Sequence, residues 1–110
     1  MHAWEYRDIL AAQAERGRLY HEFLRVPDLS AGLYVLEAGG TDPQSPHTED
    51  ELYYVVSGRA TAFVGGERRP IKEGSVIFVA AHVEHRFVDI EERLVLLVVF
   101  GPAEYSRSPG

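Results

Sequence analysis

The chain contains no cysteine. Disulfide frameworks, thiolate metal sites and cysteine nucleophiles are therefore excluded, and His, Asp and Glu are left as the strong metal ligands. There is no lysine-rich or arginine-rich block, and the formal charge of -6 sets up a field that repels phosphate backbones, so nucleic acid is not an expected partner. No apolar run approaches the roughly 20 residues that span a bilayer. The opening "MHAWEYRD" also lacks a basic-then-apolar signal layout. A cytoplasmic protein with no membrane partner is the expectation. No serine sits in a nucleophile-elbow context, which leaves a Ser-His-Asp chemistry without support.

What is present fits one globular unit. A chain of 110 residues has room for a single core, and at this size a domain buries roughly two-thirds of the surface its unfolded chain exposes. Apolar residues at 45% and charged residues at 25% are close to the averages for folded soluble chains. A single domain over 1–110 is expected, with a helix over about 8–16, a β-barrel over about 18–101 and a frayed tail over 103–110.

The helix is read from "DILAAQAERG", where Asp8 is a suitable N-cap and Gly17 stands where a C-terminal stop belongs. It is short, so Ile9 and Leu10 are expected to pack against something else. From Arg18 onward, runs rich in Val, Ile, Tyr and Phe recur every 8 to 12 residues or so between turn residues. "ATAFVGGERRPI" is the clearest hairpin: Gly65 and Gly66 can take positive φ, and Ala60–Val64 should pair back on Glu67–Ile71. Such a pattern argues for an all-β antiparallel sandwich or barrel, because an α/β fold needs helices between its strands. The run "RLVLLVVF" is apolar on both faces. It fits either a strand central in the core or a face covered by a second copy of the chain, and a homodimer burying part of this sheet or of Arg18–Val26 is expected.

The chemistry concentrates in "QSPHTEDELYYVVSG", Gln44 to Gly58. Thr48 and Glu51 fit a helix capping box. The following "LYYVV" is too short and too β-branched to continue a helix, so His47 belongs in a loop and Glu51 at a strand entry. Two ligands rarely hold a metal against water, and the third candidate is His85 in "HVEHRFV", also at the start of a strand.

These two segments resemble the paired motifs of the cupin family, small jelly-roll β-barrels. The first motif, G-x5-H-x-H-x3-E-x6-G, is matched by Gly39, Ser45, His47, Glu51 and Gly58. The second, G-x5-P-x-G-x2-H-x3-N, is matched in frame by Gly74, Ala80, His82, His85 and Asp89, with Arg59 to Glu73 between the motifs. Ser45 replaces the family's first histidine, Ala80 its proline, His82 its turn glycine and Asp89 its asparagine. The resemblance implies a single-domain cupin barrel that binds a divalent metal (zinc, iron, nickel or manganese) through His47, Glu51 and His85. This two-histidine, one-carboxylate set leaves positions open for water, oxygen or a small-molecule ligand. It further implies a metal-dependent dioxygenase or isomerase acting on a small organic molecule, with a non-catalytic binding or sensing barrel as the alternative.

Around that set, Gln44 or Ser45 could add a weak oxygen contact or hold a water. Tyr53, Phe63, Phe78, Phe87 and Phe100 are candidates to line the pocket, about half of them by strand alternation. Glu49 and Asp50 read as surface charge or, at most, as hydrogen-bond acceptors behind the metal ligands. His2 and His21 read as structural or exposed, His82 as a turn residue, and Arg59 and Arg86 as surface cations.

Overall fold

The computed structural model describes residues 1–109. Helix α1 spans Tyr6–Arg16, and six strands follow: β1 Tyr20–Val26, β2 Leu29–Leu36, β3 Asp50–Val64, β4 Glu67–Lys72, β5 Val76–Val79 and β6 His85–Gly101. The helix starts two residues earlier than its sequence signals indicate. Glu5 is the N-cap, and Asp8 lies in the first turn, where its charge suits the positive helix end. Gly17 ends the helix as expected, at φ 67°.

All strand pairs are antiparallel, in the order β1-β2-β6-β3-β4, with β5 on the other edge of the first half of β3. The expected hairpin is present in register, Ala60 opposite Ile71 and Val64 opposite Glu67, with Gly65 and Gly66 at φ 56° and 85°. Pro70 is tolerated because β4 is an edge strand. Two pairs of short sequence runs fuse. "ELYYVVSG" and "ATAFV" become the single strand β3, and "HRFVDI" and "RLVLLVVF" become β6.

These two long strands shape the molecule. Along β3, Glu51, Tyr53 and Val55 face inward; past the bend the inward residues are Ala60 and Ala62. Along β6 the inward set changes from His85 and Phe87 to Ile90, Leu94, Leu96, Val98 and Phe100. Alternation has period two, so each change from odd to even positions requires an irregular residue. It falls at register shifts between Val55 and Thr61 on β3, opposite a β6 segment in which Asp89 sits at φ 49°. Gly58 takes φ 96°, and a Cβ there would lie 2.1 Å from the Arg93 carbonyl oxygen. Paired bulges at one level fold the sheet over on itself.

The interior holds Tyr34, Leu36, Tyr53, Val55, Phe87 and the inward residues of β6. The apolar excess of "RLVLLVVF" has a local cause: Val95, with Leu33 and Val35, lies on the outer face under Ile9 and Leu10 of α1. Leu97 and Val99, beyond the helix, are half-buried. The expected fraying of 103–110 does not hold for 103–107: Ala103 and Glu104 are buried, and the Ala103 N–H donates to the Pro27 carbonyl.

Gly58→Ala should cost roughly 3 kcal/mol or more, because it combines a strained φ with a backbone clash. Urea denaturation of the two proteins checks this, and an unchanged midpoint would show that the bend does not depend on glycine.

Candidate metal centre

His47 ends the loop before β3, Glu51 is the second residue of β3 and His85 is the first of β6. Glu51 pairs with Phe100 and Val79 in one half of the folded sheet, whereas His85 pairs with Val64 in the other. Closure of the sheet brings them together: His85 Nε2 is 3.0 Å and His47 Nδ1 3.5 Å from Glu51 Oε1. One ligand atom from each residue lies within 4.8 Å of the others, so the expected trio is assembled as a group that could hold a metal ion.

All three residues are buried, Glu51 to 2% exposure. His47 Nδ1, His85 Nε2 and both Glu51 carboxylate oxygens make no hydrogen bond. Leaving an ionised carboxylate dry and unpaired costs several kcal/mol in a protein interior, and buried polar atoms are otherwise almost always satisfied.

The remaining ring nitrogens are occupied. His47 Nε2–H donates to Glu104 Oε2 at 2.9 Å, and His85 Nδ1–H donates to the Val83 carbonyl at 2.9 Å. Each acceptor requires the proton on that nitrogen, which leaves the lone pair on the nitrogen facing Glu51. Tautomer, burial and convergence all suit a divalent cation. For His85, burial works against the charged imidazole, but the Glu51 carboxylate and the Val83 carbonyl outweigh it and raise its pKa above the ordinary histidine value, so a proton competes with a cation for Nε2.

Asp42, not singled out by the sequence, organises the loop. Its carboxylate accepts from the Tyr34 hydroxyl (2.6 Å), the Phe87 N–H (2.9 Å), and the Gln44 N–H (3.2 Å) and side-chain amide (2.8 Å). The bond to the backbone two residues on is an Asx turn, and Asp-Pro at 42–43 was the available signal. The other end of the Gln44 amide accepts from the Tyr53 hydroxyl at 2.7 Å. Gln44 is thus locked in a structural chain and its polar atoms are already in use, while Ser45 lies exposed on the cavity wall.

A cavity of about 320 Å³ opens on the group, lined by Tyr20, Tyr34, Ser45, Phe100, Glu104 and Tyr105 among others. Among the described residues, no Lys or Arg lines it. Burial pushes the Tyr20 and Tyr34 phenols well above their ordinary value, so both remain neutral donors. Tyr20 reaches the wall by lying over Gly32, where a Cβ would sit 2.3 Å from its ring.

Of the five aromatics expected to line the pocket, Phe100 does so, 4.8 Å from the His47 ring centroid. Tyr53 and Phe87 stand beneath the site, Tyr53 6.1 Å from the His85 ring and edge-on to Phe87. Phe63 and Phe78 do not line it. Phe63 faces outward between Arg68 and Arg86, and Phe78, 59% exposed, is on the outer face of β5; the even positions of the early β3–β5 pairing point away from the core.

Glu49 and Asp50 are likewise not idle surface charges. Glu49, 1% exposed, accepts from the Tyr105 N–H (2.6 Å), the Arg107 N–H (2.9 Å) and the Thr48 hydroxyl. Burial works against its charge, but these donors prevail and hold its pKa below the usual carboxylate value. Asp50 accepts from the Ala81 N–H at 2.9 Å. His82 is exposed at φ 68°, in the turn expected of it, and its N–H donates to the His47 carbonyl at 2.7 Å.

Bent antiparallel strands closing over an inward His-His-Glu group that could hold a metal ion define a small β-barrel protein. The family model described as "Cupin domain" matches residues 32–100, and the chain belongs to the cupin family. It is 47% identical over 104 residues to an uncharacterized protein of Streptomyces coelicolor, covering 94% of this chain and 99% of that one. Among solved structures it is similar to KdgF from Halomonas sp. (25% identity, TM-score 0.69, 76% of each chain). It is also similar to a putative mannose-6-phosphate isomerase from Ralstonia eutropha (25% identity, TM-score 0.67, 76% of this chain and 83% of that one).

Glu49→Ala should release the segment from Tyr105 to Arg107 and cost about 1–3 kcal/mol for the donors left unpaired. Amide hydrogen exchange at 105 and 107 reads it out, and unchanged protection there would contradict the role given to Glu49.

Proposed function

We propose that this cupin binds one divalent metal ion through His47 Nδ1, His85 Nε2 and the Glu51 carboxylate, and acts on a small, neutral, oxygen-bearing organic molecule in the adjoining cavity. The convergence of four buried, unbonded polar atoms from three residues carries this reading. A bound ion supplies a Lewis acid that polarises a ligand oxygen. The side occupied by Ser45, where the family has another histidine, leaves the group open to the cavity.

The rest of the wall is suited to proton-transfer isomerisation more than to dioxygenation. Tyr20 offers a neutral, unpartnered hydroxyl for orienting a ligand oxygen, the Tyr34 proton being held by Asp42, and the Glu104 carboxylate stands beside His47. One structural relative is described as a putative mannose-6-phosphate isomerase, but the absence of cationic side chains from the described wall favours an uncharged ligand over a phosphate ester. The reading includes a cytoplasmic setting. It also includes a homodimer: Leu52 and Tyr54 of β3 pair with Phe78 and Val76 of β5, all four exposed on one outer face beside Leu97 and Val99. A second copy covering this face would remove the apolar surface from water.

Metal analysis after equilibration with zinc, manganese or iron tests the centre. Wild type should carry one ion per chain, and His47→Ala and His85→Ala close to none; equal trace metal in all three would refute it. Solvent deuterium exchange into neutral hydroxyketones by the loaded protein would support isomerisation. Oxygen uptake with small diketones would assign dioxygenation instead, and ligand binding without either would assign a sensing barrel. For the dimer, light scattering should give twice the chain mass for wild type and the single-chain mass for Phe78→Asp; a monomeric wild type would remove it.

A further inference from the structure

The family match ends at residue 100, yet the chain beyond it is woven into the metal centre. The Glu104 N–H donates to the buried Ser30 hydroxyl at 2.8 Å, its carbonyl accepts from the Arg25 guanidinium at 2.7 Å, and Glu49 receives the Tyr105 and Arg107 N–H groups. The segment is thus fixed from β1, from β2 and from the 48–49 turn, each contact spanning 56 or more positions of sequence. Its product is one contact: the Glu104 carboxylate on His47 Nε2, 2.9 Å away, with Tyr105 stacked 5.6 Å from the same imidazole.

We infer that the 102–107 segment is a strap that completes the centre, and that Glu104 is a positioning residue which sets the His47 tautomer and ring orientation for metal binding. His47 lies in a loop, and without an acceptor at Nε2 its proton can reside on either nitrogen. A carboxylate accepts only, so it holds the proton at Nε2 and directs the Nδ1 lone pair toward Glu51 and His85. It also makes His47 a stronger base toward a cation. His85 gets the same service from a backbone carbonyl two residues away, whereas His47 depends on a group 57 positions along the chain. This role rests on the metal reading above, but its tautomer component does not.

The test uses full-length wild type, Glu104→Gln and Glu104→Ala. Zinc affinity is measured by competition with a chromophoric chelator, and the His47 tautomer by long-range proton–nitrogen NMR on the metal-free proteins. Glu104→Ala should weaken zinc binding about 10- to 100-fold and shift His47 from the Nε2–H form to a mixture of tautomers. Glu104→Gln, which keeps the size and an amide oxygen acceptor, should fall between and remain folded if the alanine variant does not. Affinities within twofold of wild type, or an unaltered Nε2–H signal in both variants, would overturn the proposal. If wild type bound no zinc, the metal reading would fall by itself, and the tautomer signal would still decide whether Glu104 positions His47.

Discussion

The pairing of β3 with β6 runs from Asp50 opposite Gly101 to Val64 opposite His85, and it survives a fold in the sheet because both strands carry irregular residues at the same level. Gly58 on one side and Asp89 on the other absorb positive φ, and each strand exchanges its inward face there. If only one strand did so, inward side chains in one half would oppose outward ones in the other, and the core would lose a wall. The bend also makes the site possible. Glu51 and His85 stand near opposite ends of the paired strands, and only the doubled-over sheet places their side chains face to face. Here a cupin barrel's closure and the convergence of its His-His-Glu group rest on one backbone constraint.

Charge is handled unevenly at this end of the barrel. Asp42 has its oxygens filled by a phenol, an amide and two backbone N–H groups; Glu49 by two N–H groups and a hydroxyl; Glu104 meets His47. Each is a buried or half-buried acid with a structural task, and its partners offset the loss of water. Glu51, more buried than Asp42 or Glu104, has two histidine nitrogens near one oxygen, Oε1, but no hydrogen bond to either oxygen. Against neighbours so fully satisfied, a lone carboxylate aimed at two lone pairs reads as a binding group rather than a packing defect. Neutral phenols line the adjoining cavity, and no Lys or Arg is among the described residues of its wall.

Features governed by short-range chemistry were legible in the residues. Period-two alternation, the Gly65-Gly66 turn and Gly17 at the helix end act over a few positions, so an all-β antiparallel barrel or sandwich could be read directly, while the full trio followed from the resemblance of two motifs to the cupin family. The misreadings share a different cause. Phe63 and Phe78 could not be told from Phe100 as pocket candidates because alternation tells that faces differ, not which one is inward; strand register and the two bulges decide that. Glu49 looked like surface charge because the N–H groups that occupy it come from 56 and 58 residues away. "AEYSR" carries no periodicity or apolar density to announce that it docks. The sequence by itself determined the strands, the turns and the identity of the three converging side chains, since these follow from local propensity and motif spacing. Only the tertiary structure decided that Glu51 is left unpaired, that Asp42 locks the loop, and that a polar tail returns to hold His47, because each depends on contacts between distant segments that exist once the sheet has closed.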